Sequence, residues 1–404
     1  MLAGRTPFVW PDAWKSDAAF HLVHGTVIDT IVTMDEAVAK RAAAEGLQSV
    51  SPHAAPKGVS IIEGSVAGIK LGRFGSSAEF SSGPTGEPWV NSNVWPVRLA
   101  RARKPENAVW IRTQPPDNTG GAAFPYIVMI ADAALAGGRW AIALDDPFAQ
   151  AIAQGQPAAL ATWRKIASAA AYFTQRAGLD AYRPEAVIAI VSDFSKSFEH
   201  ETLNLVTRSG QQYRVELQES LTPASLKGLR AVLAPGAQPP PASVRATLLD
   251  FVRNGGLLIT AAGWGAIPGG AASNETHPRF RLTRLGGGAI AEPKEPMTDP
   301  YVLANDAAIL VSHRYDLLRF WNGGAMSALY TSATDRKRGA VQVLFYSNRP
   351  ASDVTVRVAG AWRTAAVSTL DRPLPAPVHL EQQKGGVEIH LPAIAQYVAI
   401  ELEA

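Results

Sequence analysis

The stretch LKGLRAVLAPGAQPPPASVRATLLDFVRNGGLLITAAGWG, residues 226–265, decides the fold of the middle of this chain. It begins with a short apolar run that ends in Ala-Pro-Gly, which predicts a buried strand and a loop. Val244, Leu248, Phe251 and Val252 then recur at helical spacing, and a Gly-Gly pair follows them, as is typical of a helix and its stop. The run GLLIT completes a strand-helix-strand unit.

A second stretch, AVIAIVSD at residues 186–193, extends this pattern toward the N-terminus. It is apolar on both faces, as the central strands of a parallel sheet are. Together the two stretches predict a doubly wound, three-layer α/β domain over residues 183–336.

The regions on either side have different patterns. Residues 1–182 alternate short apolar runs, among them GVSIIEG, NAVWIRTQ and RWAIALDD, with helical segments, which predicts βα units around a parallel sheet. Five or six such units are present where a complete barrel needs about eight. We therefore predict a reduced (β/α) TIM-like barrel. Residues 337–404 alternate with a period of two and predict a small antiparallel β-sandwich.

The composition limits the function classes. The 404 residues are 47% hydrophobic and 18% charged, which predicts a globular chain of about two or three domains. The net charge is only +3 and the basic residues are dispersed, so no nucleic-acid partner is expected. No apolar run approaches the ~20 residues of a membrane span. We expect a soluble protein without a membrane partner, and a periplasmic or secreted location after removal of an export signal stays open.

Cysteine is absent, which excludes disulfides, thiolate metal sites and a cysteine nucleophile. The eight histidines are scattered without ligand spacing, so no metal is expected. No G-x-G-x-x-G after a strand and no GK[ST] loop occur, so no nucleotide cofactor is expected either.

The order of the three predicted domains, the text of residues 226–265 and the ending GVEIHLPAIAQYVAIELEA resemble the microbial β-galactosidases. Members of that group of glycoside hydrolases combine a barrel, an amidotransferase-like trimerisation domain and a C-terminal β-domain. The resemblance implies a flavodoxin/class I amidotransferase-like fold for the middle domain, a carbohydrate substrate or ligand, and a homo-oligomer that could form through that domain.

The resemblance does not extend to the family's general acid. In the family this acid belongs to an Asn-Glu dipeptide at a barrel strand end. The only such dipeptide here, Asn274-Glu275, lies in the middle domain. Amidotransferases themselves need a cysteine, so the middle domain is expected to be structural or interfacial.

Hydrolysis of a glycosidic bond typically takes two carboxyl groups, which in a barrel lie at the C-terminal strand ends. Glu63 and Asp145 are the preferred catalytic pair, and Asp29 is a third carboxylate assigned to substrate binding. The alternative for each is a structural role. A strand-end carboxylate often caps the next helix, Asp146 beside Pro147 is the better expected cap, and Asp29 is a candidate interior carboxylate.

The loop GEPWVNSNVWPVR at residues 86–98 is the densest polar and aromatic cluster of the chain. Aromatic faces and bidentate polar side chains are typical of saccharide sites, although tryptophans in a long loop are also common plugs over a core. The residues assigned to substrate binding, besides Asp29, are His53, Trp89, Asn91, Asn93, Trp95 and Arg98.

Two functions follow from these observations. The first is a glycoside hydrolase-like protein that acts on oligosaccharides by carboxylate acid/base chemistry at the barrel mouth. The second is a non-catalytic carbohydrate-binding or assembly protein that retains a degenerate barrel. Two carboxyl groups about 5 to 9 Å apart across a pocket favour the first, and isolated, capped carboxylates favour the second.

Overall fold

The computed structural model describes residues 5–14, 17–70, 72–74, 79–81, 89–115, 119–349, 351–391 and 393–404. The chain forms three units, each with its own layers of secondary structure.

The first unit contains short strands and five helices. It comprises β1 (Thr6–Val9), β2 (Ile28–Val32), α1 (Glu36–Ala44), β3 (Gln48–Val50), β4 (Val59–Glu63), β5 (Gly68–Lys70), β6 (Gly72–Phe74), β7 (Glu79–Ser81), β8 (Trp89–Asn91), α2 (Val94–Arg103), β9 (Ala108–Arg112), α3 (Phe124–Leu135), β10 (Gly138–Trp140), α4 (Asp146–Ala153) and α5 (Pro157–Gln175), with 3-10 turns at Asp17–Leu22 and Ala177–Ala181.

Six strands of this unit run parallel in the order β3-β2-β1-β10-β9-β4. The two halves of this series meet at a bridge between Phe8 and Ile142, where the Val9 N–H donates to the Ile142 carbonyl at 2.8 Å. Because all six strands are parallel, their C-terminal ends lie at one edge. Among the described residues no backbone pairing joins β3 to β4.

The middle unit is built around one seven-stranded sheet. Its elements are β12 (Ile188–Ser192), α6 (Ser197–Arg208), β13 (Tyr213–Leu217), β14 (Ala231–Ala234), α7 (Ala242–Arg253), β15 (Leu257–Thr260), β16 (Ala271–Ala272), β17 (Phe280–Leu285), β18 (Gly288–Pro293) and α8 (Pro300–Val311), with 3-10 turns at Gln218–Ser220, Pro223–Leu226 and His313–Tyr315.

The strand order of this sheet is β13-β12-β14-β15-β18-β17-β16, and the first five strands are parallel. This order, 2-1-3-4-5, is that of a doubly wound sheet. Helices α6 and α8 contribute to the core on one face of the sheet and α7 to the core on the other. The predicted Gly-Gly stop follows α7, where Gly255 has φ +99°, a conformation that favours glycine.

The third unit packs two antiparallel sheets face to face. Its strands are β19 (Leu318–Trp321), β20 (Met326–Ser332), β21 (Arg338–Phe345), β22 (Val354–Ala359), β23 (Thr364–Thr369), β24 (Ala376–Val378), β25 (Glu381–Gln383), β26 (Gly386–Leu391) and β27 (Tyr397–Glu403), joined by β11 (Arg183–Pro184).

The sheet orders are β11-β20-β21-β27-β23-β24 and β19-β22-β26-β25, with an apolar core between them. The boundary predicted at residue 337 is wrong for this unit. It separates β20 from β21, which pair with each other over seven residues. The two sheets therefore begin at Leu318 and also take in β11, at the predicted end of the first unit.

A buried carboxylate, Asp132 on α3, joins the first unit to the sandwich. Its Oδ1 accepts hydrogen bonds from the hydroxyls of Tyr346 at 2.6 Å and Ser92 at 2.8 Å, and its Oδ2 accepts from the Asn93 N–H at 2.6 Å. The side chain is fully buried, and this burial raises the pKa of the carboxyl group despite the three donors. Tyr346 follows β21, so the network spans both units.

We expect Asp132→Ala to lower the free energy of unfolding by about 3 kcal/mol, because it leaves buried donors without an acceptor. The control Asp371→Ala removes an exposed carboxylate and should change the free energy by less than about 0.5 kcal/mol. Urea unfolding at pH 7 measures both, and equal effects would contradict the role given to Asp132.

The raised pKa of Asp132 also makes the stability of the fold depend on pH. As the pH rises from the ordinary value of 3.8 toward the raised folded-state pKa, the unfolded chain loses this proton first, so stability falls and then levels off. Asp132→Asn carries no titrating group. The unfolding free energy of the wild type minus that of Asp132→Asn should decrease over this window, as urea midpoints across the pH range would measure.

Candidate functional site

A cavity of about 390 Å³ opens at the C-terminal edge of the six parallel strands. Its apolar walls come from all six strands or the residues just after them. The wall residues include Val9, Val32, Val50, Ile61, Trp110 and Ala141.

A larger groove of about 870 Å³ adjoins this cavity and shares Val9, Val32 and Pro52 with it. The indole of Trp10 lies in the groove, stacked on Phe20 with ring centroids 4.3 Å apart, and its Nε1–H donates to the Trp14 carbonyl at 2.9 Å. Exposed side chains complete the lining, with Met34 66% exposed. The charged residues there are Asp12, Asp35 and Arg41.

Glu63 lies at the mouth of the cavity, as its position at the end of β4 predicts. It pairs with Arg112 on the neighbouring strand β9, whose Nε donates to Glu63 Oε1 at 2.8 Å. A second nitrogen of the same guanidinium, Nη1, donates to the Pro52 carbonyl at 2.6 Å. Arg112 therefore links β4 to the loop after β3, across the place where backbone pairing is absent from the described structure. This bond to Glu63 raises the pKa of Arg112.

Asp145 has a different role from the one predicted. Its Oδ1 accepts from the Phe148 N–H at 3.0 Å, which makes it the N-cap of α4. Its Oδ2 accepts from the hydroxyls of Thr119 and Tyr126, and burial raises the pKa of Tyr126. Asp145 does not line the cavity that holds Glu63. The expectation that Asp146 would be the cap is wrong by one residue, because Asp146 is already in the first turn.

Asp29 lies at the opposite end of its strand from the cavity. Strand β2 begins at Ile28, so Asp29 is at its N-terminal end, and its Oδ1 accepts from the Thr6 N–H at 3.1 Å and the Thr30 hydroxyl at 2.9 Å. Burial raises the pKa of this half-buried carboxyl. Contact with a ligand at the cavity is therefore excluded, and the side chain has the environment of an interior carboxylate.

His53 remains near the cavity. It is exposed in the loop after β3, beside Pro52, which lines both the cavity and the groove. Its backbone N–H donates to the Ser51 hydroxyl at 3.2 Å, which fixes the loop backbone and leaves the imidazole in solvent.

Most of the loop assigned to a saccharide subsite lies elsewhere. Asn93 is 1% exposed, and its amide both donates to the Ser65 carbonyl and accepts from the Ser65 N–H, each at 2.9 Å. Asn91 ends β8 and pairs with Gly68. Glu87 and the side chain of Trp89 lie outside the described residues.

Trp95 and Arg98 are interface residues rather than sugar ligands. They lie three residues apart on α2 and so share one helix face, which packs on the middle unit. The Trp95 ring lies 5.1 Å from that of His200. Arg98 donates to the Tyr213 carbonyl and lies over the Tyr213 ring. Burial lowers the pKa of Arg98, since the charged form is desolvated there.

The predicted pair is therefore not assembled, and other residues line the opening. Sequence reasoning missed Trp10, Asp12, Met34 and Arg112. Each ends or closely follows a parallel strand, and that position, which selected Glu63, is the signal that could have found them.

Neither a metal centre nor a membrane span is found in the described structure. Within the residues given above, His, Asp and Glu side chains form no cluster of three or more that could hold a metal ion. None of the helices described combines the length and apolar character needed to cross a membrane.

No protein-family model matches the sequence, and no curated protein matches it either. Several solved structures are similar to this chain in fold. The fold is similar to α-L-fucosidase isoenzyme 2 from Paenibacillus thiaminolyticus, at 11% identity over 76% of this chain and 62% of that chain, with a TM-score of 0.55. A β-galactosidase from Bacillus circulans sp. alkalophilus matches at 11% identity, 76% and 61% coverage and a TM-score of 0.46. A rhamnosidase from Novosphingobium sp. PP1Y matches at 10% identity, 91% and 38% coverage and a TM-score of 0.49.

The α-L-fucosidase, the neighbour of these three with a TM-score above 0.5, is a glycoside hydrolase, and the predicted resemblance to glycoside hydrolases is confirmed at the level of the fold. This chain is a mixed α/β multidomain protein that spans less than two thirds of the length of each of these three enzymes. At such low identity the likeness concerns the fold and not the chemistry.

We expect Asp145→Ala to lower the free energy of unfolding by about 1 to 2 kcal/mol through loss of the cap, and Asp145→Asn to retain most of it, because asparagine is also a good N-cap. Asp146→Ala is the matched control, with an expected change within about 0.5 kcal/mol. Thermal and urea unfolding would measure the three variants. A stable Asp145→Asn protein that loses a sugar-dependent activity would contradict a purely capping role.

Proposed function

We propose that this chain is a glycoside hydrolase-like protein that binds an oligosaccharide at the C-terminal edge of its six parallel strands. In this proposal the strands are a reduced (β/α) barrel, the middle unit is an amidotransferase-like scaffold, and hydrolysis by a Glu63 and Asp145 pair does not occur.

One observation carries the proposal. Among the described residues that line it, the cavity has apolar walls and a single carboxylate, Glu63, which is held by Arg112. Asp145, its intended partner, caps a helix and does not line the cavity. Glu63 and its guanidinium partner offer acceptors and donors for sugar hydroxyls, but among the described residues no second carboxyl group lines this cavity to supply the proton for a leaving group.

The surroundings also suit a sugar. The groove next to the cavity is lined by the exposed Met34 side chain and by the Trp10 indole, which is 8% exposed, and these are apolar surfaces against which the C–H faces of a sugar can pack. The cavity and the groove share a wall, so an oligosaccharide bound in the cavity would extend into the groove. The likeness of the fold to an α-L-fucosidase further supports a carbohydrate ligand.

Arg112→Gln should weaken sugar binding about tenfold, because a charge-assisted hydrogen bond contributes about 1.5 to 3 kcal/mol. Calorimetric titration with L-fucose, D-galactose, L-rhamnose and oligosaccharides that contain them measures the affinity. Arg284→Gln is the matched control, since Arg284 forms a comparably exposed ion pair with Glu275 in the middle unit. Absence of saturable binding of every sugar by the wild type would refute the proposal, as would equal affinity in both variants.

A second candidate function is hydrolysis by Glu63 together with Asp12. The observation that favours it is their position. Both follow parallel strands at the same edge, and the cavity of Glu63 shares three residues with the groove of Asp12. In this arrangement Glu63 and Asp12 are the two carboxyl groups that divide the acid and base roles between them.

A panel of aryl α-L-fucosides, β-D-galactosides and α-L-rhamnosides separates the two functions. Under our first proposal the wild type releases no aryl alcohol above the buffer rate although it binds the sugars. Turnover that disappears in both Glu63→Gln and Asp12→Asn, but persists in Asp371→Asn, would establish the second function instead.

A further inference from the structure

A separate cavity of about 300 Å³ lies where the three units meet. Helix α2 and the segment before β11 line it from the first unit, β13 from the middle unit, and β20 and β21 from the sandwich. It shares no lining residue with the cavity or the groove at the strand edge. Its charged and amide side chains are Arg98, Arg101, Asp180, Arg183, Arg214, Glu216 and Gln342.

Positive charge is in excess around this cavity. Four arginines and two carboxylates line it. One of the carboxylates, Asp180, is already paired with another arginine, because its Oδ2 accepts from Arg139 Nη2 at 2.8 Å. Glu216 lies 3.8 Å from the Nε of Arg214. Two guanidiniums, those of Arg98 and Arg101, therefore face the cavity without a carboxylate of their own.

The hydrogen bonds of Arg98 and Arg101 go to backbone carbonyls. Arg98 donates to Tyr213, and Arg101 donates to Ala136 at 2.8 Å and to Asp180 at 2.6 Å. Carbonyl groups orient a guanidinium but do not neutralise it. Burial lowers the pKa of both arginines, which means that the charged form has lost part of its hydration without full compensation.

One further donor in the cavity wall forms no hydrogen bond in the described structure. The Nε–H of Arg214 is buried and has no hydrogen-bond partner there. Gln342 is also buried in this wall, and its Oε1 accepts from the Tyr397 hydroxyl at 2.6 Å. Buried donors in native proteins are normally paired with protein, water or ligand.

We infer that this junction cavity binds a small oxyanion of the phosphate, sulfate or carboxylate type. Such a group accepts several hydrogen bonds at once and supplies the negative charge that the arginines lack. The volume is at the lower end of the range of metabolite sites, which sets the size of the ligand. Because the ligand would contact all three units, it would also stabilise their arrangement. The inference does not depend on sugar binding at the strand edge.

Isothermal titration of the whole chain at pH 7 and low ionic strength tests the inference. The probes are inorganic phosphate, sulfate and citrate, with D-glucose as the neutral probe. We expect saturable binding of at least one anion and none of glucose. Arg214→Gln should weaken anion binding about tenfold, whereas Glu216→Gln should strengthen it, because it removes a repulsive charge. Opposite effects of two neighbouring substitutions cannot arise from a general loss of folding.

Two control variants test whether the anion binds at this cavity. Arg253→Gln removes an exposed arginine on α7, and Arg112→Gln removes the arginine at the strand edge. Neither should change the affinity for the anion. The inference fails if the wild type binds none of the three anions saturably, if Arg112→Gln abolishes binding while Arg214→Gln does not, or if all four variants bind equally.

Discussion

The arrangement of the molecule depends on the buried carboxyl group of Asp132. A carboxylate removed from water must accept hydrogen bonds from donors at fixed positions, and here those donors are Ser92, Asn93 and Tyr346. Two of them immediately precede α2, and the third follows a strand of the sandwich. One side chain therefore fixes where α2 begins relative to α3 and to the sandwich. Because α2 then carries Trp95 and Arg98 onto the middle unit, the same contact indirectly orients all three units.

The sequence predicted the middle unit well because its signals are local. The apolar run of β14, the helical spacing of α7 and the Gly255 stop each depend on neighbours within a few residues, and the parallel order of the sheet follows from their alternation. The start of the sandwich was placed late because β19 pairs with β22 and β20 with β11, and both partners are distant in the chain. Pairing between strands that are distant in the chain leaves little signal in the few residues around each strand.

The candidate site was predicted in location but only partly in its residues. The rule that ligands bind beyond the C-terminal ends of parallel strands selected Glu63, which does lie at the cavity. It could not separate Asp145 from Asp146, since a shift of one residue decides which side chain reaches the Phe148 N–H. Tryptophan and arginine in the segment at residues 86–98 suggested a sugar site, but the same residue types also favour interfaces between packed units. Trp95 and Arg98 are three residues apart and so lie on one helix face, which was the overlooked indication of an interface.

The break in pairing between β3 and β4 in the described structure gives the cavity at the strand edge an unusual wall. Elsewhere around the opening, neighbouring strands are joined by backbone hydrogen bonds, which bulk electrolyte hardly affects. At this seam the described contact is the side chain of Arg112, which reaches both Glu63 and the Pro52 carbonyl while half exposed to solvent. Exposed ion pairs weaken as ionic strength rises, with a screening length of about 8 Å at physiological salt. The Arg112 contacts thus hold this side of the opening together by electrostatic attraction. We therefore expect the width of the opening to change with ionic strength, while the rest of the rim keeps its shape.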